Sequence, residues 1–184
     1  HLVAADLLSQ AEHGWDAASV CIADCENLAL RIQREVSAQL SALPRSEIIA
    51  QALDQYGAIV VVPDLEVGVE LLNRMAPEHA ELLVADPWRW VDKIRHCGAL
   101  FLGAASTEPV GDYFAGTNHV LPTNGAARYA SSLGLADFVK TTSIIAYSQE
   151  RLADVTDHIV RLAQAEGLEA HARAVSIRQD RRFR

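Results

Sequence analysis

Short continuous runs of apolar residues recur along the chain and are separated by longer stretches with helical spacing. The four runs lie at positions 19–23, 58–62, 82–84 and 99–102. Apolar runs of this length, bounded by turn or helical residues, are typical of buried strands. Because the strands alternate with helical stretches, the pattern predicts an α/β unit with a mainly parallel sheet and flanking helices.

The stretches between the strands repeat apolar residues every three or four positions, as an amphipathic helix does. The predicted helices lie at about 4–13, 24–43 and 45–55, with further helices starting near 64 and 86. Asp24 has the residue type and position of an N-cap for the second of them. Pro44 follows that helix, where a proline is expected to end it.

The pattern changes near Gln149, where an amphipathic helix begins, and a second short helix follows that carries His171. Just before this part, residues 141–145 have the composition of a further strand. Two helices after an α/β unit predict a small, mostly helical C-terminal domain. We therefore divide the chain into an α/β part, 1–133, and a helical part, 134–184.

The net charge bears on the partners that the protein can bind, and the cysteines bear on its cellular compartment. The 184 residues carry a net charge of −8 with a pI near 5.3, which argues against nucleic acid or an anionic membrane as a partner. The one basic cluster, Arg178, Arg181, Arg182 and Arg184, is expected to be solvated. No apolar run has the length of a membrane span. Three cysteines without metal-ligand spacing indicate reduced thiols and a cytoplasmic location.

The stretch 111–123 combines a carboxylate, Asp112, and an imidazole, His119, with two glycines and several small polar residues. It follows the strand at 99–102, and ligands of open α/β sheets bind at the carboxyl ends of strands. A loop of this size inside a domain is often functional. The alternative is an ordered connection whose polar side chains satisfy backbone groups, and the loop alone does not separate the two.

Gln10 and His13 lie three positions apart at the end of the first predicted helix. On a helix they share one face, so an amide oxygen and an imidazole nitrogen can reach the same ion. Exposed polar residues at a helix end often have the same spacing. The pair is therefore only a weak indication of a metal site.

Glu78 and His79 follow Pro77 at a junction between a helix and a strand. Imidazole is a common general base, and a neighbouring carboxylate can orient it or activate water. A turn with exposed polar side chains is the simpler interpretation of such a dipeptide on its own.

Four stretches, taken together, say more than any one of them. They read DLLSQAEHG at 6–14, PEH at 77–79, GDYFAGTNHVLPT at 111–123 and SSLGLADF at 131–138. In this order and spacing they resemble the histidinol dehydrogenase family. The chains of that family are about twice as long, so the resemblance implies the C-terminal portion of such a chain, with an incomplete Rossmann-like sheet. The chain also begins without a leader or capping segment, as if cut from something longer.

The resemblance assigns roles to particular residues. The implied zinc ligands are Gln10, His13, Asp112 and His171, the last reaching the site of the partner subunit in a homodimer with shared active sites. The implied acid–base pair is Glu78 and His79. The implied substrate-binding residues are Gln10, His13, His79, Asp112, His119, Glu166 and His171. NAD is expected to bind mostly through residues of the other half of the family's chain. Such a nitrogen and oxygen donor set suits zinc.

The implied reaction oxidises L-histidinol through L-histidinal to L-histidine, with two NAD molecules each accepting a hydride. His79 is expected to take the alcohol proton, and Glu78 to help water add to the aldehyde. Two other functions remain open at this point. One is a non-catalytic assembly or dimerisation module, and the other is a related zinc-dependent dehydrogenase of another small hydroxylated substrate.

Overall fold

Four short strands pair in parallel in the computed structural model, which describes residues 1–179. The strands are β1 Ser19–Ala23, β2 Gly57–Val61, β3 His79–Leu82 and β4 Ala99–Leu102. The predicted parallel α/β architecture is confirmed. Within residues 1–179, however, the strands form two separate pairs, β1 with β2 and β3 with β4, instead of one sheet.

Seven α-helices accompany these strands in the described residues. They are α1 Leu2–Ala11, α2 Glu26–Leu40, α3 Ser46–Tyr56, α4 Leu65–Met75, α5 Glu108–Tyr113, α6 Gln149–Ala165 and α7 Glu169–Ser176. The stretch Pro87–Lys93 is a 3₁₀ helix, and shorter 3₁₀ turns occupy Ala126–Arg128, Leu135–Phe138 and Ile177–Gln179. Asp64 caps α4 by accepting a hydrogen bond of 2.9 Å from the backbone N–H of Val67.

Three details of the sequence prediction are wrong. Cys25, not Asp24, is the N-cap of α2, and its side chain makes no capping bond. β3 begins at His79, three residues before the predicted start, because its pairing with β4 begins there. Residues 141–145 form no strand, and Ile144 and Ile145 are 92% and 82% exposed. β-branched residues favour a strand only where they pack against a neighbouring strand, and these exposed residues have none within residues 1–179.

Two apolar cores stabilise the α/β part. The first lies between α1 and α3 and is centred on Leu8, Ala11, Ile49 and Ala52. The second packs Val69 of α4 and Leu82 of β3 against Trp90 of the 3₁₀ helix. The second core fixes β3, and the strand in turn fixes His79 and Glu81 on its opposite face.

The chain divides into two compact units, His1–Val139 and Lys140–Arg184. The first unit thus extends past the boundary at residue 133 that the sequence suggested. In the second, α6 and α7 are joined through Gly167, whose φ of 75° favours glycine. None of the helices within residues 1–179 is long and apolar enough to cross a membrane. Arg178 is exposed, and the other three arginines of the predicted basic cluster lie outside the described residues.

Candidate active site

Helix α5 carries Asp112, so the stretch 111–123 begins inside a helix and not in the loop that the sequence suggested. The residues before Asp112 explain the difference. Thr107 precedes the helix, Glu108 lies in its first turn and Pro109 follows, a sequence that favours the start of a helix. One helical turn separates Glu108 from Asp112, so both side chains project from the same side of α5.

Three side chains from the ends of two helices converge at α5. One ligand atom from each of His13, Glu108 and Asp112 lies within 4.8 Å of the others. His13 comes from the turn after α1, far from α5 in sequence. The cluster is therefore a product of the fold.

The imidazole of His13 is oriented by the backbone. Its Nδ1 lies 3.3 Å from the carbonyl oxygen of Gln10, and since a carbonyl only accepts, Nδ1 carries the hydrogen. In the neutral ring Nε2 then has a free lone pair. Nε2 lies 3.6 Å from Oε1 of Glu108, on the side of the cluster. This is the arrangement in which a protein holds a histidine ready for a metal ion.

Glu108 is an acidic residue with only 6% of its surface exposed. The hydroxyl of Ser9 donates a hydrogen bond of 3.3 Å to its Oε2. Burial raises the pKa of Glu108, the neighbouring His13 and His79 lower it, and Asp112 raises it again. Two adjacent carboxyl groups in a buried place are stabilised either by a proton or by a cation.

A second pair of carboxyl groups lies directly behind the cluster. Oε1 of Glu81, on β3, accepts a hydrogen bond of 3.0 Å from the backbone N–H of Glu108. The carboxyl of Glu81 also lies within hydrogen-bonding reach of that of Asp6, on α1, and a proton on one of the two joins them. Burial first, and then the charge of Asp6, raise the pKa of Glu81 to about 7. The N–H of Glu108 acts in the opposite direction.

His79 is the first residue of β3, two positions before Glu81, so both side chains leave the strand on the same face. Its ring lies 6.0 Å from that of Phe101 on β4. Both ring nitrogens are shielded from solvent, and neither has a hydrogen-bond partner within residues 1–179. An unpaired buried polar atom costs stability, and such costs concentrate at functional sites.

Gly111 lets α5 come close to this face of the sheet. A Cβ atom on Gly111 would lie 2.7 Å from a carbon of the Phe101 ring, closer than real Cβ contacts occur. Hydrogen is therefore the only side chain that fits there without a shift. The close approach keeps Asp112 near the face that carries His79 and Glu81.

Comparison with known proteins points to one family. The family model for histidinol dehydrogenase matches residues 1–179. The histidinol dehydrogenase of Bacillus cereus is 52% identical over 176 residues, which cover 96% of this chain and 41% of that protein. The histidinol dehydrogenase of Halalkalibacterium halodurans is 53% identical over 176 residues, with 96% and 42% covered.

The chain belongs to the histidinol dehydrogenase family. The crystal structure of histidinol dehydrogenase from Elizabethkingia anophelis superposes with a TM-score of 0.89 and 40% identity, over 96% of this chain and 41% of that one. The chain thus spans about 41% of the length of these histidinol dehydrogenases.

The structure brings together some of the site residues that the resemblance implied. His13 and Asp112 meet, and Gln10 contributes the carbonyl that orients His13. Glu78 is half-buried, and its carbonyl accepts a 2.8 Å hydrogen bond from Ala99 that anchors the start of β3. His119 lies in an exposed coil after α5. Glu166 and His171 are exposed residues of the second unit, at the end of α6 and on α7.

Sequence reasoning missed the second carboxylate of the cluster and the pair behind it. Glu108 had a signal, because Thr-Glu-Pro predicts a helix start and Asp112 follows four positions later. Asp6 had a weaker signal, as an acidic residue inside a motif noted for other residues, and Glu81 lies two positions after the end of another such motif. Only the folded structure shows that Asp6 of α1 and Glu81 of β3 meet.

The donor set fits the zinc ion that a histidinol dehydrogenase is expected to hold. One imidazole nitrogen and two carboxylate groups are donors that zinc accepts. A divalent cation would also compensate the charge of the buried Glu108 and its neighbour Asp112. The residues present are therefore compatible with the metal.

Proposed function

We propose that this chain supplies metal-binding and acid–base residues for the NAD-dependent oxidation of L-histidinol, through L-histidinal, to L-histidine. Membership of the histidinol dehydrogenase family supports the reaction class. The observation that carries the proposal is the convergence of His13 and Asp112, from two distant helices, beside the unpaired ring of His79. A module that served only assembly would not need this arrangement.

In the proposed site Gln10, His13 and Asp112 hold zinc, and His171 completes the set from the neighbouring subunit of a homodimer. Glu108 lies among these donors, close to both Asp112 and His13. When bound, zinc would hold the amine and imidazole of histidinol and so position the substrate. The oriented Nε2 of His13 supports its role as a ligand.

His79 is the proposed general base of the oxidation steps. As the hydroxymethyl carbon gives up a hydride to the nicotinamide, the imidazole accepts the hydroxyl proton, and the alcohol becomes an aldehyde. The surroundings of His79 support this role, since neither ring nitrogen is engaged by another group within the described residues. A substrate hydroxyl is a partner of the right chemistry for such a nitrogen.

Glu78 is the proposed activator of water. Its carboxylate would take a proton from water as the oxygen adds to the aldehyde carbon, giving a hydrate. His79 would then accept a hydroxyl proton of the hydrate while the second hydride leaves, which yields the carboxylic acid. Separate residues for the base and for the water activator explain why the two side chains are adjacent in sequence.

His119 and Glu166 are proposed to contact the substrate, together with the metal-binding residues and His79. NAD is proposed as the oxidant, with two molecules reduced for each histidinol. Most contacts to NAD would come from the part of the family's chain that this sequence does not cover. The three cysteines are free, which supports a reducing compartment and the cytoplasm as the proposed location.

The proposal is tested in a chimera, a full-length histidinol dehydrogenase whose matching segment is replaced by this chain. With zinc, NAD and L-histidinol, we expect two NADH for each histidinol consumed and no turnover with simple aliphatic alcohols. A chimera with His158→Ala, an exposed histidine of α6, should match the unsubstituted one. A folded, zinc-loaded chimera without turnover would overturn the proposed activity. Turnover of another hydroxylated substrate alone would favour a related dehydrogenase.

A further inference from the structure

The carboxyl group of Glu81 joins three elements that have no chain connection near the site. The side chain leaves β3 on the face that also carries His79. One oxygen accepts the backbone N–H of Glu108 at 3.0 Å, at the first residue of α5. The same carboxyl lies within hydrogen-bonding reach of that of Asp6, on α1, when one of the two carries a proton. Glu81 therefore connects the strand with both helices whose ends form the cluster.

This connection lies where it fixes the distance between the metal donors. Asp6 precedes His13 on the α1 segment, and Glu108 precedes Asp112 by one turn of α5. If the bridge through Glu81 were lost, α5 would still pack on Phe101 through Gly111. Its first turn would then be tied to α1 only through the carboxylate of Glu108, which Ser9 and His13 contact, and no longer through its backbone. The spacing of His13 and Asp112 would therefore be less constrained.

We propose that Glu81 is a positioning residue, which holds the first turn of α5 against α1 and thereby sets the geometry of the His13, Glu108 and Asp112 cluster. The inference rests on the proposed function, since it presumes that the cluster binds metal. It adds a residue that touches neither metal nor substrate. Partners of this kind orient ligands and contribute to metal affinity through them.

Substitutions at Glu81 distinguish the effect of its hydrogen bonds to Glu108 and Asp6 from the effect of the size of its side chain. Glu81→Gln keeps both bonds, because its amide oxygen accepts the N–H of Glu108 and its NH₂ donates to Asp6. Glu81→Ala removes both bonds. Asp6→Ala breaks the bridge from the side of α1 and leaves the strand intact. Glu70→Ala, an exposed acidic residue of α4, is the matched control.

The test is a titration of the 184-residue chain and its variants with Zn²⁺, and in parallel with Co²⁺, whose visible spectrum reports coordination geometry. Loss of an orienting partner typically costs roughly 10- to 100-fold in metal affinity. We expect a loss in that range for Glu81→Ala and in the same direction for Asp6→Ala, with an altered Co²⁺ spectrum. Glu81→Gln and Glu70→Ala should retain both the affinity and the spectrum.

Two results would overturn the inference while leaving the proposed metal site intact. One is a folded Glu81→Ala chain that binds Zn²⁺ as tightly as the unsubstituted chain. The other is a Glu81→Gln chain that loses as much affinity as Glu81→Ala. If Glu81→Ala does not fold, by circular dichroism, Glu81→Gln and Asp6→Ala decide in the same way. Failure of the unsubstituted chain to bind either metal would overturn the metal site itself, and this inference with it.

Discussion

Nε2 of His13 lies 3.6 Å from Oε1 of Glu108, and this contact joins the end of the first helix to the start of a helix that follows the last strand. The carboxylate is almost completely buried, whereas the imidazole is about half exposed. A buried carboxylate beside a second carboxylate and an exposed imidazole contributes little to the stability of the fold. The same arrangement is well suited to binding a cation.

Removing the charge of Glu108 should show whether this carboxylate serves the stability of the fold or the binding of metal. Glu108→Gln keeps the shape of the side chain, so the unfolding free energy of the metal-free chain should not fall. Zn²⁺ affinity should fall by roughly 10-fold or more. Calorimetric titration and urea denaturation measure the two effects, with the exposed Glu47→Gln as control. Unchanged affinity in Glu108→Gln would show that this carboxylate does not serve the metal.

The stability of the metal-free chain should depend on pH through Glu81. Its pKa is about 7 in the folded chain against an ordinary value of 4.5, so the folded state binds the proton more tightly. The resulting stabilisation is complete below pH 4.5 and disappears as the pH rises through 7. Burial raises the pKa of Asp6 and of Glu108 as well, which acts in the same direction.

Urea denaturation between pH 4.5 and 8, with chelator present, measures this dependence. The unfolding free energy should fall across the interval, and the slope should be shallower in Glu81→Gln because an amide does not titrate. An equally steep slope in both chains would assign the dependence to other groups.

Gly111→Ala is a test in which two effects change the unfolding free energy in opposite directions. Alanine in place of glycine inside a helix is ordinarily stabilising by about 1 kcal/mol. Here the new Cβ would lie 2.7 Å from the ring of Phe101, and overpacking costs about 1–3 kcal/mol. We expect net destabilisation in urea, and recovery when Phe101→Val makes room. Gly134→Ala, whose Cβ meets nothing closer than 3.9 Å, is the control. A more stable Gly111→Ala chain would contradict the packing of α5 described here.

His79→Leu should raise the stability of the chain and abolish most of its activity. The unpaired ring nitrogens lose water without gaining a partner, so an apolar side chain of similar size should raise the unfolding free energy by about 1 kcal/mol. Zinc content should be unchanged, and turnover in the full-length chimera should be almost abolished. His158→Leu, at an exposed position, should change stability by no more than about 0.5 kcal/mol. Loss of zinc in His79→Leu would mean that the role of His79 is misassigned.

The sequence predicted most elements but not how they assemble. β1 and β4 have the predicted bounds. β4 is an apolar run between Gly98 and Gly103, and the apolar run of β1 is bounded by Ser19 and Asp24. β3 was displaced because its outward residues, His79 and Glu81, are polar, so the apolar run that was visible lay further along. The division of the strands into two pairs depends on tertiary packing, which local periodicity does not record.

The candidate site could be predicted only in part, because the sequence does not record which distant residues meet. Motif resemblance pointed to His13 and Asp112, and the structure brings them together. Glu108 is missed because the sequence predicts a loop around Asp112, and outside a helix a spacing of four positions does not place two side chains on one side. The bridge through Glu81 could not be read from the sequence, since it depends on the fold bringing Asp6 and Glu108, 75 and 27 positions away, to one carboxyl group.

The most direct test of the central claim is a calorimetric titration of the chain with Zn²⁺. We expect stoichiometric binding by the unsubstituted chain, a loss of roughly 100-fold or more in Asp112→Ala and in His13→Ala, and no change in Asp157→Ala, an exposed carboxylate of α6. Absence of binding, or binding that survives both Asp112→Ala and His13→Ala, would contradict the claim that these residues form a metal site.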